Sequence, residues 1–494
     1  MQKRTIRHTY DNFTDRASRR FDKGLKRGIT ALLVMFFFIT GCQIKTELLK
    51  PAFPQRTDDG EVFLYTQTFP QEAEHLRFSI EAVSAVRADG MTFPLSLSLS
   101  EFRGRDMKRQ MLVASGMLPP GHYTGFAFKV RDASLEVEEG EANLLVPEGP
   151  VSAEFMYDIS RKQSYVMWLK FNYKQSVIRG ISFSPSFSVF LPERPVAGLL
   201  GYVANYESKN ITVFDKKSMQ VIGVIATGNG PTGIALEQNL RRAYVSLSGD
   251  DSIDVIDMTS GEVINNIKLS PGDTPMEAVF TPDRYLLLTA NSRSDTVSVI
   301  DPVSMIELTR IPVGNGPNSV VIDPAGRRAY TFNALSDTIS VIDIASRSVA
   351  ATISTEPGPF RGQFNREGNR LYVIHEWSSY ITVIDPFSLS VENRIKAGMG
   401  VNALKLDTRT DLFYVSKKDD ARIEVYDPIS SIPFDYIKGD GSASYMTIDS
   451  EENNLYMVMP ETQTVKVVDI VSKKVIAEMD VGRLPDWVTM MGER

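Results

Sequence analysis

A single cysteine, Cys42, occurs in the 494 residues, so the chain can form no internal disulfide. Histidine is nearly as scarce. Beyond the N-terminal segment only His75, His122 and His375 remain, and no two of them stand at metal-ligand spacing. There is no Cys-x-x-Cys-His haem attachment, no Gly-x-Ser-x-Gly elbow and no glycine-rich phosphate loop. A redox enzyme holding its own haem or metal is therefore not expected, and no cofactor is assigned. Positive charge is also short. Residues 1 to 41 hold nine basic and three acidic groups, which leaves 45 against 58 in the remainder, a formal charge of −13. A body of that charge is a poor general binder of nucleic acid, which needs a positive field.

What the chain has in abundance is repetition. Asp215, Asp257, Asp301, Asp343, Asp385, Asp427 and Asp469 recur at steps of 42 or 44 residues, each closing a β-branched run such as Val297-Ser298-Val299-Ile300. A period in the low forties with several strands per unit marks a β-propeller. In the unit ending at Asp343 and its outer run, four short strands are legible: 317–322, 328–332, 338–342 and 349–353. The aspartates read as turn residues rather than a ring of carboxylates, because Asp301-Pro302, Asp385-Pro386 and Asp427-Pro428 place Asp and Pro at the first two positions of a β-turn. Seven inner-strand segments follow turns at Pro231, Pro275, Pro317, Pro359, Val401, Ala443 and Pro485. The first unit opens on its second strand at Leu200, so the last segment, 486–490, is expected to complete blade one and leave no open edge.

The runs Arg-Arg-Ala-Tyr-Val-Ser at 241–246 and Asn-Arg-Leu-Tyr-Val-Ile at 369–374, with Gly228-Asn229-Gly230-Pro231 and Gly314-Asn315-Gly316-Pro317, resemble the YVTN-type β-propeller repeat family over about 199–491. That resemblance implies an extracytoplasmic seven-bladed propeller of a cell-surface protein, a redox enzyme or a lactonase.

At the N-terminus, Arg16, Arg19, Arg20, Lys23, Lys26 and Arg27 precede the apolar run Ile29 to Thr40, whose twelve residues are too few for a bilayer core that needs about 20. A basic stretch, a short apolar run and a small residue before the cut make a secretory signal, here residues 1–41. Ile39-Thr40-Gly41-Cys42 resembles the lipobox of bacterial lipoproteins, which implies diacylglycerol on Cys42 and a membrane held through the N-terminal lipid. Gln43 differs from the aspartate that resembles an inner-membrane retention signal, so the outer membrane is favoured.

Residues 42–60 read as a lipidated tether, and 61–195 as a β-sandwich of immunoglobulin-like or transthyretin-like shape, because short strands follow one another there without helical periodicity. The fold class is thus all-β: an N-terminal sandwich, then a seven-bladed propeller closed by the C-terminal strand.

Periodicity also says where to seek a site. Ten residues before the repeated aspartates stand Asn205, Asn291, Asn333, His375 and Lys417, and Arg293 and Trp377 follow two residues after Asn291 and His375. The sharpest departure from the repeat is His375-Glu376-Trp377 in blade five, joined by Phe360-Arg361 at the neighbouring channel entrance. An imidazole, an aromatic and a cation on one rim would make a binding hot spot. The same asparagines also suit turns for their own hydrogen bonds. The leading expectation is a non-enzymatic lipoprotein whose propeller binds a protein or cell-envelope component. The alternatives are a hydrolase or lactonase using His375, Arg361 and Glu376, and an accessory subunit of a periplasmic redox complex whose partner carries the cofactor.

Overall fold

In a computed structural model of the chain, the structure describes residues 58–138, 140–428 and 432–493. The export segment and Cys42 lie outside these residues, as does almost all of the tether. From Leu200 onward the chain forms seven four-stranded antiparallel sheets. Blades two to seven begin with the inner strands Pro231–Glu237, Pro275–Phe280, Pro317–Ile322, Pro359–Phe364, Val401–Leu406 and Tyr445–Ile448, and each runs outward in chain order. Blade one is assembled from Leu200–Asn205, Asn210–Asp215 and Gln220–Ala226, with Pro485–Met490 paired antiparallel to the first of these.

The burial of the strands explains why their sequences lack a simple alternation. The second and third strands of a blade are covered on both faces by the neighbouring blades, so Arg328–Asn333 and Thr338–Asp343 are buried along almost their whole length. The fourth strand faces solvent and is polar, as in Glu262–Lys268. The tyrosine of each Tyr-Val run fills the space between blades: Tyr244 packs edge-on against Phe280 and donates to the Pro302 carbonyl at 2.8 Å. The repeated aspartates anchor turns. Asp301 accepts from the Ser304 hydroxyl at 2.7 Å and the Val303 amide at 2.8 Å, and Asp385 accepts likewise from Phe387 and Ser388. Those bonds hold both carboxyls below their ordinary range.

The region expected to be a sandwich forms one continuous ten-stranded sheet. The strand Thr92–Leu97 joins its two halves: residues 92–95 pair with Leu76–Arg87, and Ser96 and Leu97 pair with Met111–Leu118. The sheet curls around a core in which Phe69, Phe78, Phe102 and Phe171 stack. Its longest strand, Gly121–Val137, contains the alternating Phe126, Phe128 and Val130, all buried.

Strand Gly60–Thr66 is buried on both faces for two different reasons. Val62 and Leu64 enter the sheet's own core, whereas Phe63 and Tyr65 pack against the propeller beside Val221, Val224, Met479 and Val481. The contact falls on the outer strands of blades one and seven. Arg109 donates to Asp480 at 2.5 Å and to Glu478 at 3.2 Å, and the Leu112 amide donates to Asp480 at 2.9 Å. On blade one, the side-chain amide of Gln110 both accepts from and donates to the backbone of Val221, as a neighbouring strand would, and Trp168 Nε1 donates to the same carbonyl.

Candidate functional site

The blade geometry assigns the rim candidates two different fates. Asn205, Asn291 and Asn333 are fully buried, and each Nδ2 donates to two side-chain oxygens of its own blade: Asn210 and Thr212, Thr296 and Ser298, Thr338 and Ser340. They lock the second hairpin of the blade through Nδ2, while each Oδ1 stays buried without a partner. His375 occupies the equivalent place in blade five and is 1 % exposed. Its Nδ1 lies 3.1 Å from the Tyr380 carbonyl, which can only accept, so Nδ1 carries the proton and Nε2 accepts from the Thr355 hydroxyl at 3.0 Å. Burial pushes its pKa down to about 4, so the ring is neutral at neutral pH. Lys417 is ion-paired with Glu424 at 2.6 Å. Arg293 and Glu376 are exposed, and Trp377, half exposed, covers the turn at Gly358. That turn requires glycine, because φ is +69° and a Cβ would meet the Trp377 ring at 2.8 Å.

Phe360 and Arg361, in contrast, reach the channel. Two residues after each inner-strand entry stand Gly233, Glu277, Ser319, Arg361, Ala403, Tyr445 and Trp487, one from each blade. Several of these side chains meet across the ring. The guanidinium carbon of Arg361 (blade five) lies 4.9 Å from the ring centre of Tyr445 (blade seven), 5.3 Å from Trp487 (blade one) and 5.0 Å from Phe360. Tyr445 and Trp487 stack with centroids 3.8 Å apart. Arg361 Nε faces Glu277 of blade three at 3.7 Å, an ion pair beyond hydrogen-bond length.

Burial raises the pKa of Glu277 and of Asp486, the residue before Trp487, and the Arg361 charge opposes both shifts. Tyr445 is pushed well above its ordinary value for the same reason. Asn402 Oδ1, Ser444 Oγ and Trp487 Nε1 are buried here without a hydrogen-bond partner in the protein, whereas Glu277 is served by Ser319 and by its long ion pair with Arg361. Buried polar groups are normally satisfied, so this set of donors and acceptors is equipped for a bound molecule or ordered water. Glu277, Tyr445, Asp486 and Trp487 were absent from the rim expected above. The column two residues after each entry proline carries the signal: a glycine, a serine and an alanine serve the repeat, whereas a glutamate, an arginine, a tyrosine and a tryptophan depart from it.

A family model for YNCE-like beta-propellers matches residues 274–430. Among solved structures, a functionally unknown protein from Desulfotomaculum acetoxidans DSM 771 has 15% identity and a TM-score of 0.52, with 59% of this chain and 98% of that one covered. Kuenenia stuttgartiensis hydrazine synthase has 20% identity and a TM-score of 0.46, covering 51% of this chain and 87% of that one. The dihydro-heme d1 dehydrogenase NirN in complex with DHE has 13% identity and a TM-score of 0.48, covering 61% and 78%. At these identities the likeness is one of fold. No curated protein matches the chain.

Proposed function

We propose that the protein is a lipid-anchored, extracytoplasmic binding module whose propeller takes its ligand at the channel centre. The observation that carries this reading is the cluster of Arg361 against the Tyr445–Trp487 stack, with Asn402 Oδ1, Ser444 Oγ and Trp487 Nε1 buried and unpartnered on the same inner strands. A buried cluster of aromatic and arginine side chains with unmet hydrogen-bonding capacity is the composition of a recognition hot spot. The acid–base alternative loses its imidazole, since both nitrogens of His375 are engaged inside blade five. The ligand is a cell-envelope component or a segment of an envelope protein.

Cys42 carries the lipid in this reading, and the outer membrane is the favoured location, because Gln43 follows the cysteine. A multiply acylated terminus holds a protein firmly at a membrane, at about 0.8 kcal/mol per buried methylene. The ten-stranded sheet, read as a small sandwich-like domain, and the terminal strand of blade one keep the ring closed so that the channel holds its shape.

The test is purification from native membranes with mass spectrometry of what accompanies the protein. Wild type should remain with the membrane and retain its companion, Cys42→Ser should leave the membrane, and Tyr445→Ala, which removes the aromatic wall of the channel, should stay anchored but lose the companion. Retention of the same companion by Tyr445→Ala would place the site elsewhere.

A further inference from the structure

We infer that the channel mouth binds an organic cation, an ammonium or guanidinium group, with Asp486 as its counter-ion; this deepens the channel reading above and rests on it. Asp486 is the first residue after its inner-strand entry, and Asn402 and Ser444 hold the same position on the two preceding blades. Blades six, seven and one therefore carry a carboxamide, a hydroxyl and a carboxylate at one register position of adjacent inner strands. The first two are buried without a protein partner. Asp486 accepts no hydrogen bond among the described residues, and the cation that acts on it, Arg361, is already ion-paired with Glu277. An ammonium group has three donors and no acceptor, which suits such a set.

Charge and aromatic surface point the same way. Glu277, Asp486 and Glu493 all act on the buried Tyr445 hydroxyl as negative groups, with Arg361 as the opposing cation. The site already shows its preference, because the group held against Phe360, Tyr445 and Trp487 is a guanidinium, the protein's own.

Two sources could supply the cation: a free small molecule, or a lysine or arginine side chain of a partner segment. Calorimetric titration of the full-length mature lipoprotein in detergent with agmatine, with the peptide amide Gly-Arg-Gly and with sodium acetate separates them. Saturable agmatine binding without peptide binding assigns a free small cation; equal binding of both assigns a side chain. Asp486→Asn should weaken agmatine binding about tenfold or more, while Arg361→Leu, which removes the resident cation, should strengthen it. Opposite signs in two channel variants with matching melting temperatures cannot come from misfolding. Binding should also tighten as pH rises and Asp486 ionises, with Glu277, Arg361, Tyr445 and Glu493 as the other titratable groups acting in the channel.

The inference is overturned if neither cation binds saturably, or if Asp486→Asn binds agmatine as well as wild type does. Acetate binding lost in Arg361→Leu would overturn the cation and leave the channel reading intact. Agmatine binding indifferent to both variants would sink both.

Discussion

Blade four and blade one have the same hydrogen-bonded plan but different origins. In blade four all four strands are consecutive, from Pro317–Ile322 to Ser348–Ser354, and each is joined to the next by a short turn. In blade one the inner strand Pro485–Met490 comes from the far end of the chain, so pairing alone joins it to Leu200–Asn205. Around that pairing the protein has placed contacts that blade four lacks. Lys216, 2 % exposed, is ion-paired with fully buried Asp449 at 3.0 Å and donates to the Met491 carbonyl at 2.9 Å. Outside, the ten-stranded sheet lies across the outer strands of blades one and seven through Phe63, Tyr65, Arg109 and Gln110. Closure of the ring thus adds a buried charge pair and contacts from the N-terminal sheet to the packing that joins every pair of neighbouring blades.

The largest break of that comparison is removal of residues 485–494. It exposes the edge of Leu200–Asn205 and empties the Trp487 position, and the expected result is loss of the cooperative thermal transition together with aggregation. Next comes Lys216→Met, which leaves Asp449 buried without its cation and should lower unfolding free energy by about 3–5 kcal/mol in denaturant titration. A Lys216→Met/Asp449→Leu double variant should recover much of that loss.

Glu61 sharpens the comparison through pH. It shares the propeller-facing side of its strand with Phe63 and Tyr65, and burial raises its pKa from 4.5 to about 7. The folded state therefore binds this proton more tightly than the unfolded one, so stability is full below about pH 4.5 and declines as pH rises to about 7. Glu61→Gln should be more stable than wild type at pH 8, by about 3 kcal/mol, and equal to it at pH 4. The smallest effect belongs to the ordinary blade: Asn333→Ala removes two hydrogen bonds and should cost about 1–2 kcal/mol while leaving ligand binding unchanged.

Much of this was legible in the sequence for a physical reason. Each blade repeats one local solution, so the aspartate turn and the Tyr-Val run recur in register and expose strand order directly. The N-terminal sheet was less legible because Thr92–Leu97 changes partner midway, and no local pattern encodes such a switch. The site was half legible. Arg361 packs against Tyr445 and Trp487 of other blades, whereas His375 and the three asparagines hydrogen-bond inside their own blades. Polarity at a strand end marks a hairpin lock as readily as a ligand contact; only the neighbouring blades decide which.

The central claim is that ligand meets the channel and not the outer rim. A photo-crosslinking amino acid placed at Met276, beside Glu277 on the inner strand of blade three, or at exposed Arg293 tests it in intact cells. The account predicts a discrete adduct from position 276 that Tyr445→Ala abolishes, and none from position 293. An adduct from position 293 alone, unaffected by Tyr445→Ala, would contradict it.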